Sequence, residues 1–244
     1  MSLAINADNF DVFSQLDDNS IDLIITDPPY KDYQSQRPSA HEKVEAIVEA
    51  DFDLPYFLEQ SARVLKPGSH LYCWCDHLNF PRIYQELDFL KQKAMALNFT
   101  SYLNYKNLLV WVKNNHGSGD LFGNYAPQHE LVIFACKGKG RRLNGTRPPN
   151  VFFKTDGDRI EFYKKVSNYA FGHGTSKPVD IQQLMIRTSS EPNELVFDPY
   201  AGSMSVGEAC LLEGRSYLMV EINKQHFETG IKRLTDIETR LNNA

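Results

Sequence analysis

The stretch ELVFDPYAGSMSVGEA, residues 194–209, runs from apolar residues through an acid, a proline and a glycine into a helical pattern. Asp198 ends the predicted strand, Gly202 lets the backbone approach a ligand closely, and the N-terminus of a helix follows. A strand, a tight loop and a helix in this order are typical of an α/β nucleotide-binding unit. The stretch therefore favours an α/β fold with a ligand at the end of this strand.

Strand-like and helical patterns alternate on both sides of this stretch. The chain of 244 residues is long enough for one sizeable domain. Strands are predicted at residues 21–26, 71–75, 108–112, 131–136, 194–198 and 216–222. Helices are predicted at residues 53–65, 79–97, 177–189, 203–214 and 224–241. This alternation predicts an α/β domain around a mostly parallel sheet.

A second predicted strand, Ile21–Thr26, also ends in an acid, in the sequence Asp27-Pro28-Pro29-Tyr30. In open parallel sheets, ligands bind beyond the carboxyl ends of the strands, where the winding reverses. Both acid-bearing strand ends suit such a place. About twenty residues after Asp198, Glu221 ends another strand, and a carboxylate at that distance suits the hydroxyls of a ribose. Because the chain has no phosphate-cradling glycine pattern, an adenosine without phosphates is favoured over a dinucleotide.

Composition and charge limit the class of protein. Hydrophobic residues make up 42% of the chain and charged residues 23%, as in ordinary soluble globular proteins. No apolar run is long enough to span a membrane, and the N-terminus does not resemble an export signal. The four cysteines lack the spacing of a metal site, so reduced thiols are expected. We expect a cytoplasmic protein without a membrane segment or a bound metal.

A basic segment interrupts the α/β pattern at residues 137–172. Between Lys137 and Lys165, nine basic residues stand against three acidic ones, although the whole chain has a net charge of −5. Such a local excess is a candidate for phosphate binding, but a solvated surface loop accounts for it equally well.

The order of several motifs resembles the β-class of DNA amino-methyltransferases. The motifs are TDPPY, VLKPGSHLYCW, LLVWVKN, PQHELVIFACKG, HGTSKPVDIQQLMIRTSSEPNELVFDPYAGS and GRSYLMVEI. In that class the catalytic motif comes first and the S-adenosylmethionine motif last, with target recognition between them. The resemblance implies a Rossmann-like class I methyltransferase fold, doubly wound, with one antiparallel strand and a circularly permuted motif order.

The resemblance gives a chemical reason for the Asp-Pro-Pro-Tyr sequence. An exocyclic amine is a poor nucleophile because its lone pair is delocalised into the ring. Asp27 and the carbonyl of Pro28 would accept the amino hydrogens, and the prolines Pro28 and Pro29 would fix those acceptors. Tyr30 would stack on a base turned out of the helix, which is worth about 1–3 kcal/mol. Asp27, Pro28, Pro29 and Tyr30 are therefore the candidate catalytic residues.

The same resemblance implies the cofactor-binding residues. These are Asp8, Asp27, His173, Thr175, Lys177, Pro178, Asp198, Tyr200, Ala201, Gly202, Ser203 and Glu221. Asp8 could equally be a helix N-cap or a surface residue. Tyr125 could form the other wall of a base pocket, or pack within its loop. Two positions depart from the family pattern, with Gly174 in place of a proline and Met204 in place of the second glycine of Gly-Ser-Gly-Thr. A Met204 side chain that pointed toward the cofactor would narrow its pocket.

The resemblance also divides the chain into parts. Residues 1–136 would form the catalytic half, residues 173–244 the S-adenosylmethionine half of the same domain, and residues 137–172 a small target-recognition segment. Within that segment the candidates for DNA contact are Arg141, Arg142, Arg147 and Lys154. The expected partner is double-stranded DNA. So small a recognition segment is consistent with a homodimer, and a cognate restriction endonuclease would fit such an enzyme.

Several alternatives remain open at the level of the sequence. In the family, Asp-Pro-Pro-Tyr goes mostly with N6 of adenine and Ser-Pro-Pro-Tyr more often with N4 of cytosine, so adenine is favoured. A relative that has lost cofactor binding through Met204 would be a non-catalytic DNA-binding protein. A third alternative is an RNA or protein substrate, methylated by the same chemistry at an amine.

Overall fold

A computed structural model describes residues 2–29, 52–116, 122–156, 159–164 and 176–243. Within these ranges the helices are α1 (Asn9–Gln15), α2 (Leu54–Val64), α3 (Phe80–Ala96), α4 (Val179–Ser189), α5 (Ser205–Leu212) and α6 (Lys224–Asn242). The strands are β1 (Leu3–Ile5), β2 (Ile21–Thr26), β3 (Leu65–Cys75), β4 (Leu103–Val112), β5 (His129–Lys137), β6 (Val151–Phe152), β7 (Lys154–Asp156), β8 (Arg159–Glu161), β9 (Leu195–Asp198) and β10 (Ser216–Val220).

Eight of these strands form one sheet in the order β1-β10-β9-β2-β3-β5-β4-β6. The pairs from β1 to β3 are parallel, and β4 pairs with β6 in parallel. Only β5 runs against its neighbours among these strands, since it is antiparallel to both β3 and β4. The mostly parallel sheet with one antiparallel strand is therefore confirmed.

Helices cover both faces of the sheet. One apolar core joins one face to α1, α2 and α3, through residues such as Phe13, Phe57 and Ile83. A second core joins the other face to α4, α5 and α6, through residues such as Ile186 and Leu234. All six residues of β2 are buried, as a strand covered on both sides requires. The doubly wound arrangement is confirmed, and its winding reverses between β2 and β9.

The strand β3 is longer than the sequence indicates. Its first residues, Leu65 to Gly68, form a cluster that usually ends regular structure, and they do end α2 at Val64. The strand nevertheless continues because the pairing with β2 shifts register between Ile21 and Leu23. Such a bulge accommodates a proline that cannot donate to the ladder. The short strands β1, β6, β7 and β8 were not predicted, because two or three residues carry no readable period.

Within the described ranges, no helix has both the length and the apolar composition needed to cross a bilayer. In the same ranges, no group of three or more His, Cys, Asp or Glu side chains is arranged to hold a metal ion.

The start of α5 depends on a close contact with α6. Met204 precedes α5 in a left-handed conformation, with φ 56°, and its side chain is fully buried. It fills the space above Gly230 of α6, where an added Cβ would lie 2.6 Å from Cγ and 2.7 Å from Sδ of Met204. The Met204 side chain therefore points into the core between two helices rather than toward the loop that precedes it.

We expect Gly230→Ala to lower the free energy of unfolding by about 1–3 kcal/mol, because the new methyl group overpacks a filled core. Urea denaturation measures the change. In a Met204→Ala background the same substitution should cost clearly less, since the clashing atoms are gone. An equal cost in both backgrounds would contradict the packing described here.

Candidate functional site

The site lies where β2 and β9 end side by side. The two strands pair in parallel, with Leu23 opposite Val196 and Ile24 opposite Phe197. This register brings Asp27, directly after β2, next to Asp198, the last residue of β9. The hydroxyl of Thr26 donates to Oδ1 of Asp198 at 2.8 Å. Both acids that the sequence placed at strand ends therefore meet at the point where the winding reverses.

The loop after β9 is held against the end of β10. The amide of Gly202 donates to Oε2 of Glu221 at 2.8 Å, and the amide of Asn223 donates to Oε1 at 2.8 Å. Gly202 has φ 48°, a left-handed conformation that glycine adopts without steric cost. Each oxygen of Glu221 thus accepts one backbone hydrogen bond and keeps further acceptor capacity for a ligand hydroxyl.

Three other side chains hold this loop in place. Arg233 of α6 donates to the carbonyl of Ser203 at 3.0 Å and forms an ion pair with Glu208. The hydroxyl of Ser203 lies 3.0 Å from that of Ser176, next to Lys177. Tyr200 packs edge-on against Phe57, with ring centroids 6.0 Å apart. The loop is therefore tied to α6, to α2 and to the segment that carries Lys177.

Lys177 connects Asp27 to Glu130. Its Nζ lies 2.8 Å from Oδ2 of Asp27 and 2.8 Å from Oε2 of Glu130. Glu130 is the second residue of β5, and its Oε1 lies 2.6 Å from Nζ of Lys113, which follows β4. The Lys177 ammonium also lies 5.2 Å from the ring centroid of Trp74, in β3. Four side chains of alternating charge thus line this edge of the sheet.

Burial controls the ionisation of these groups. Burial raises the pKa of Asp198 to about 7, in spite of the hydrogen bonds from Thr26 and the Tyr200 amide, and the charges of Asp27 and Glu221 add to the effect. Burial also raises the pKa of Asp27, while the neighbouring Lys177 opposes that rise. Burial would raise the pKa of Glu130 as well, but Lys177 and Lys113 hold that pKa at about 2.

The chemistry of this edge suits a ligand that carries positive charge. Asp27, Asp198 and Glu221 supply carboxyl groups around the loop, and the ammonium of Lys177 is already shared by two carboxylates. A phosphate would meet repulsion here. An adenosine derivative with hydroxyl groups and a cationic centre fits the groups that are present.

The remaining sequence candidates have different surroundings. Asp8 caps α1 by accepting from the amide of Phe10 at 2.8 Å. Pro28 is buried, whereas Tyr125 is 96% exposed and so does not pack within its loop. Lys177 and Pro178 are buried next to the start of α4, and Ala201 is buried in the loop. Tyr30, His173 and Thr175 lie outside the described residues.

The basic residues of the predicted recognition segment lie at both edges of the sheet. Lys154 lies at the edge that carries Asp27, where its half-exposed ammonium pairs with Asp180 in the first turn of α4. Arg141 lies at the opposite edge. It forms an ion pair with Glu194, before β9, and its amide donates to the carbonyl of Gly68 at 2.8 Å. Geometry therefore favours Lys154, not Arg141, as a contact for a ligand bound at the site.

The first part of the segment belongs to the core rather than to an insertion. Lys137, the last residue of β5, is buried, and its ammonium lies 2.7 Å from the carbonyl of Leu65 and 2.8 Å from Oδ1 of Asn19. Arg142 and Arg147 are exposed and remain candidates for DNA contact. The local excess of positive charge is thus split between internal ion pairs and exposed groups.

Comparison with known proteins identifies the family. A family model described as DNA methylase matches residues 21–232, which is most of the chain. The chain belongs to this DNA methylase family. Among curated relatives, the type II methyltransferase M.HpaI of Haemophilus parainfluenzae is 28% identical over 90% of this chain and 69% of its own length. The DNA adenine methyltransferase YhdJ of Escherichia coli K12 is 26% identical over 94% of this chain and 81% of its own length.

Solved structures share the fold of this DNA methylase. The M1.HpyAVI–SAM complex superposes with a TM-score of 0.67 at 22% identity, over 96% of this chain and all of that one. The PvuII DNA methyltransferase, described as cytosine-N4-specific, superposes with a TM-score of 0.69 at 15% identity, over 99% of this chain and 93% of that one. The fold is therefore the class I methyltransferase fold that the resemblance implied.

Sequence reasoning missed Glu130, Lys113 and Arg233. Glu130 had a readable signal, because an acid at the start of a buried antiparallel strand lies at the same edge as the carboxyl ends of the parallel strands. Lys113 directly follows a predicted strand, but a lysine in that position is usually a surface cation. Arg233 had no such signal, because it resembles any other cation of an amphipathic helix.

The raised pKa of Asp198 predicts a pH dependence of stability in this DNA methylase. The folded state keeps the Asp198 proton up to about pH 7, whereas an unfolded aspartate loses it near pH 4. This group therefore stabilises the fold fully below about pH 4, and the contribution is lost as the pH rises to about 7. Urea denaturation of the wild type and of Asp198→Asn at pH steps from 4.5 to 8 measures the difference. We expect the wild type to lose roughly 2–4 kcal/mol relative to the variant over this range. Parallel curves would contradict the assignment.

Proposed function

We propose that this protein transfers a methyl group from S-adenosylmethionine to the exocyclic N6 amine of an adenine in double-stranded DNA. The observation that carries the proposal is the junction of β2 and β9. There the segment Asp27-Pro28-Pro29 adjoins the Asp198 loop through the hydrogen bond from Thr26 to Asp198. The proposed acceptors for the amine thus lie next to the loop proposed to bind a positively charged cofactor, at one edge of the sheet. Membership of the DNA methylase family supports the same conclusion.

The chain's residues fit the cofactor. S-adenosylmethionine, when bound, supplies a methyl group made electrophilic by a positively charged sulfur. Glu221 is the acceptor for its ribose hydroxyls, and Gly202 allows the backbone of the loop to approach it. Asp27 complements its positive charge, and Asp198 does so where the pH is high enough to ionise it. The buried side chain of Met204 lies against Gly230, so it does not narrow this loop, and the argument for a non-catalytic relative loses its main support.

The residues after β2 prepare the amine for attack. Asp27 and the carbonyl of Pro28 accept the amino hydrogens, which draws the nitrogen lone pair out of the ring and toward the methyl carbon. Transfer would form one nitrogen–carbon bond and break the carbon–sulfur bond of the cofactor, whose bonding electrons would stay on the sulfur. The nitrogen then loses one proton, for which Asp27 is the nearest proposed acceptor. Because prolines flank these acceptors, they need little reorganisation during the reaction.

Adenine is preferred over cytosine as the target base. The motif carries aspartate, and the relative YhdJ is named as a DNA adenine methyltransferase. The fold does not discriminate, since a cytosine-N4-specific methyltransferase shares it. The base is therefore the part of the proposal that a product analysis decides.

The decisive experiment incubates the purified protein with methyl-labelled S-adenosylmethionine and unmethylated genomic DNA, followed by mass spectrometry of the nucleosides. We expect N6-methyladenine. N4-methylcytosine would keep the mechanism and overturn the choice of base. Absence of transfer together with absence of cofactor binding by calorimetry would overturn the proposed function.

Asp27→Ala should lower methyl transfer by on the order of 10³-fold, because it removes a preorganised acceptor of the amino group. Cofactor binding by calorimetry should weaken far less than transfer, because Glu221 and the loop at Gly202 are unchanged. The matched control is Asp88→Ala, which removes an exposed carboxylate on α3. Wild-type transfer by Asp27→Ala would remove the role assigned to this residue.

We further infer that Lys154 contacts a DNA phosphate, since it is exposed at the edge that carries Asp27. Lys154→Gln should weaken DNA binding and reduce the slope of log K against log salt by about 1. Lys93→Gln, an exposed lysine of α3, should leave the slope unchanged. Arg141→Gln should lower the stability and leave the slope unchanged. A lower slope in Arg141→Gln but not in Lys154→Gln would contradict the placement of the DNA.

A homodimer and a cognate restriction endonuclease belong to the same proposal. The recognition segment is small, and type II methyltransferases are among the relatives. Light scattering at several protein concentrations, with and without DNA, measures the molar mass and so shows whether two copies associate.

A further inference from the structure

Lys113, Glu130, Lys177 and Asp27 form a continuous chain of ion pairs. The successive nitrogen–oxygen distances are 2.6, 2.8 and 2.8 Å. The four residues come from different parts of the fold, since Lys113 follows β4, Glu130 lies in β5, Lys177 precedes α4 and Asp27 follows β2. All four lie within the motifs of the sequence, but the resemblance assigns a role only to Asp27 and Lys177.

Three of these four side chains are largely shielded from water, and the fourth, that of Asp27, is 31% exposed. The side chain of Lys177 is 10% exposed, that of Lys113 14% and that of Glu130 26%. The two ammonium groups also face indole rings, at 5.2 Å from Trp74 and 5.5 Å from Trp111. Charges in such surroundings interact more strongly than on an open surface. A change of charge at Lys113 or Glu130 should therefore alter the electrostatic environment of Asp27.

Glu130 competes with Asp27 for a single ammonium. If Glu130 were neutral, Lys177 would be free to pair with Asp27 alone, and that carboxylate would hold an amino hydrogen less well. If Lys113 were absent, Glu130 would keep only Lys177 as a partner. The presence of both Glu130 and Lys113 thus determines how strongly Lys177 binds Asp27.

We propose that Glu130 is a positioning residue that draws the Lys177 ammonium partly away from Asp27, so that Asp27 remains a strong acceptor for the amino group of the base. This inference rests on the proposed function, because it assigns Asp27 the acceptor role. Glu130 itself acts through Lys177 and touches neither base nor cofactor in this scheme.

The charges around Asp27 agree in sign with this role. Burial raises the pKa of Asp27, Lys177 lowers it, and Glu130 and Asp76 raise it again. Asp198, at the end of β9, is the other acid near Asp27, and its own pKa is raised by burial to about 7. Lys177 and Lys113 hold the pKa of Glu130 at about 2, so Glu130 stays ionised at any working pH. Replacing Glu130 by a neutral residue should therefore lower the pKa of Asp27.

The first test follows the ionisation of Asp27 in the protein without cofactor or DNA. Carbon-13 NMR of protein labelled at the aspartate carboxyl carbons gives the titration of each group, and Asp27→Asn identifies the Asp27 signal. In Glu130→Gln the midpoint for Asp27 should move to lower pH. In Lys113→Met, which removes a positive charge, it should move to higher pH. Glu59→Gln, which breaks an exposed ion pair with Lys93, should not move it.

The second test measures methyl transfer to DNA. Glu130→Gln should lower kcat by about tenfold, which corresponds to roughly 1.4 kcal/mol, while KM for S-adenosylmethionine changes less than threefold. The acidic limb of its pH profile should move to lower pH, in step with the NMR midpoint. Glu130→Asp should restore part of kcat, and Glu59→Gln should match the wild type.

The outcomes separate this inference from the proposed function. Wild-type kcat in a folded Glu130→Gln, or an unshifted Asp27 titration, would overturn the positioning role. If Glu130→Gln does not fold, an unchanged Asp27 titration in Lys113→Met would overturn it instead. A wild type that binds cofactor but never methylates DNA would overturn the proposed function, whatever the titrations show.

Discussion

The parallel pairing of β2 with β9 is the constraint on which the site depends. It places two strand ends from distant parts of the chain side by side, and the Thr26 hydroxyl donates to Asp198 across that junction. Because the strands are buried on both faces, a slip of one residue would turn every side chain to the wrong face. The same register that fills the core therefore also fixes the spacing between Asp27 and the Asp198 loop.

The sequence predicts this part of the fold well because the signals are local. An apolar run ending in an acid gives both the strand and the residue at its end, and the helix patterns of α2, α4 and α6 are read from their periodicity. The doubly wound arrangement with one antiparallel strand, by contrast, is predicted from the motif resemblance and not from the residues of any one strand. The short strands β1 and β6 escape prediction because their existence depends on a neighbour that is already in place.

The surroundings of the charged residues are not predicted by the local sequence. A count of basic residues in the segment after β5 suggests one patch, but the fold divides them by edge. Lys137 and Arg141 satisfy carbonyls and a carboxylate at the amino ends of the strands, whereas Lys154 lies at the carboxyl ends. Whether a lysine faces water or closes a buried ion pair depends on what the tertiary structure places opposite it, and one sequence does not contain that information.

The shielded edge around Lys177 combines stability with chemistry. Burying one ammonium costs several kcal/mol unless its partners compensate for lost hydration, and the two carboxylates and the Trp74 ring supply that compensation. If Asp27 were the single carboxylate partner of Lys177, the ammonium would interact with that carboxylate alone. With Glu130 on its other side, and Lys113 balancing Glu130, each charge has a neighbour of opposite sign and Asp27 is not the only partner of the cation. The arrangement thus offsets the desolvation of Lys177 and leaves Asp27 able to accept a hydrogen bond from the amine in the proposed reaction.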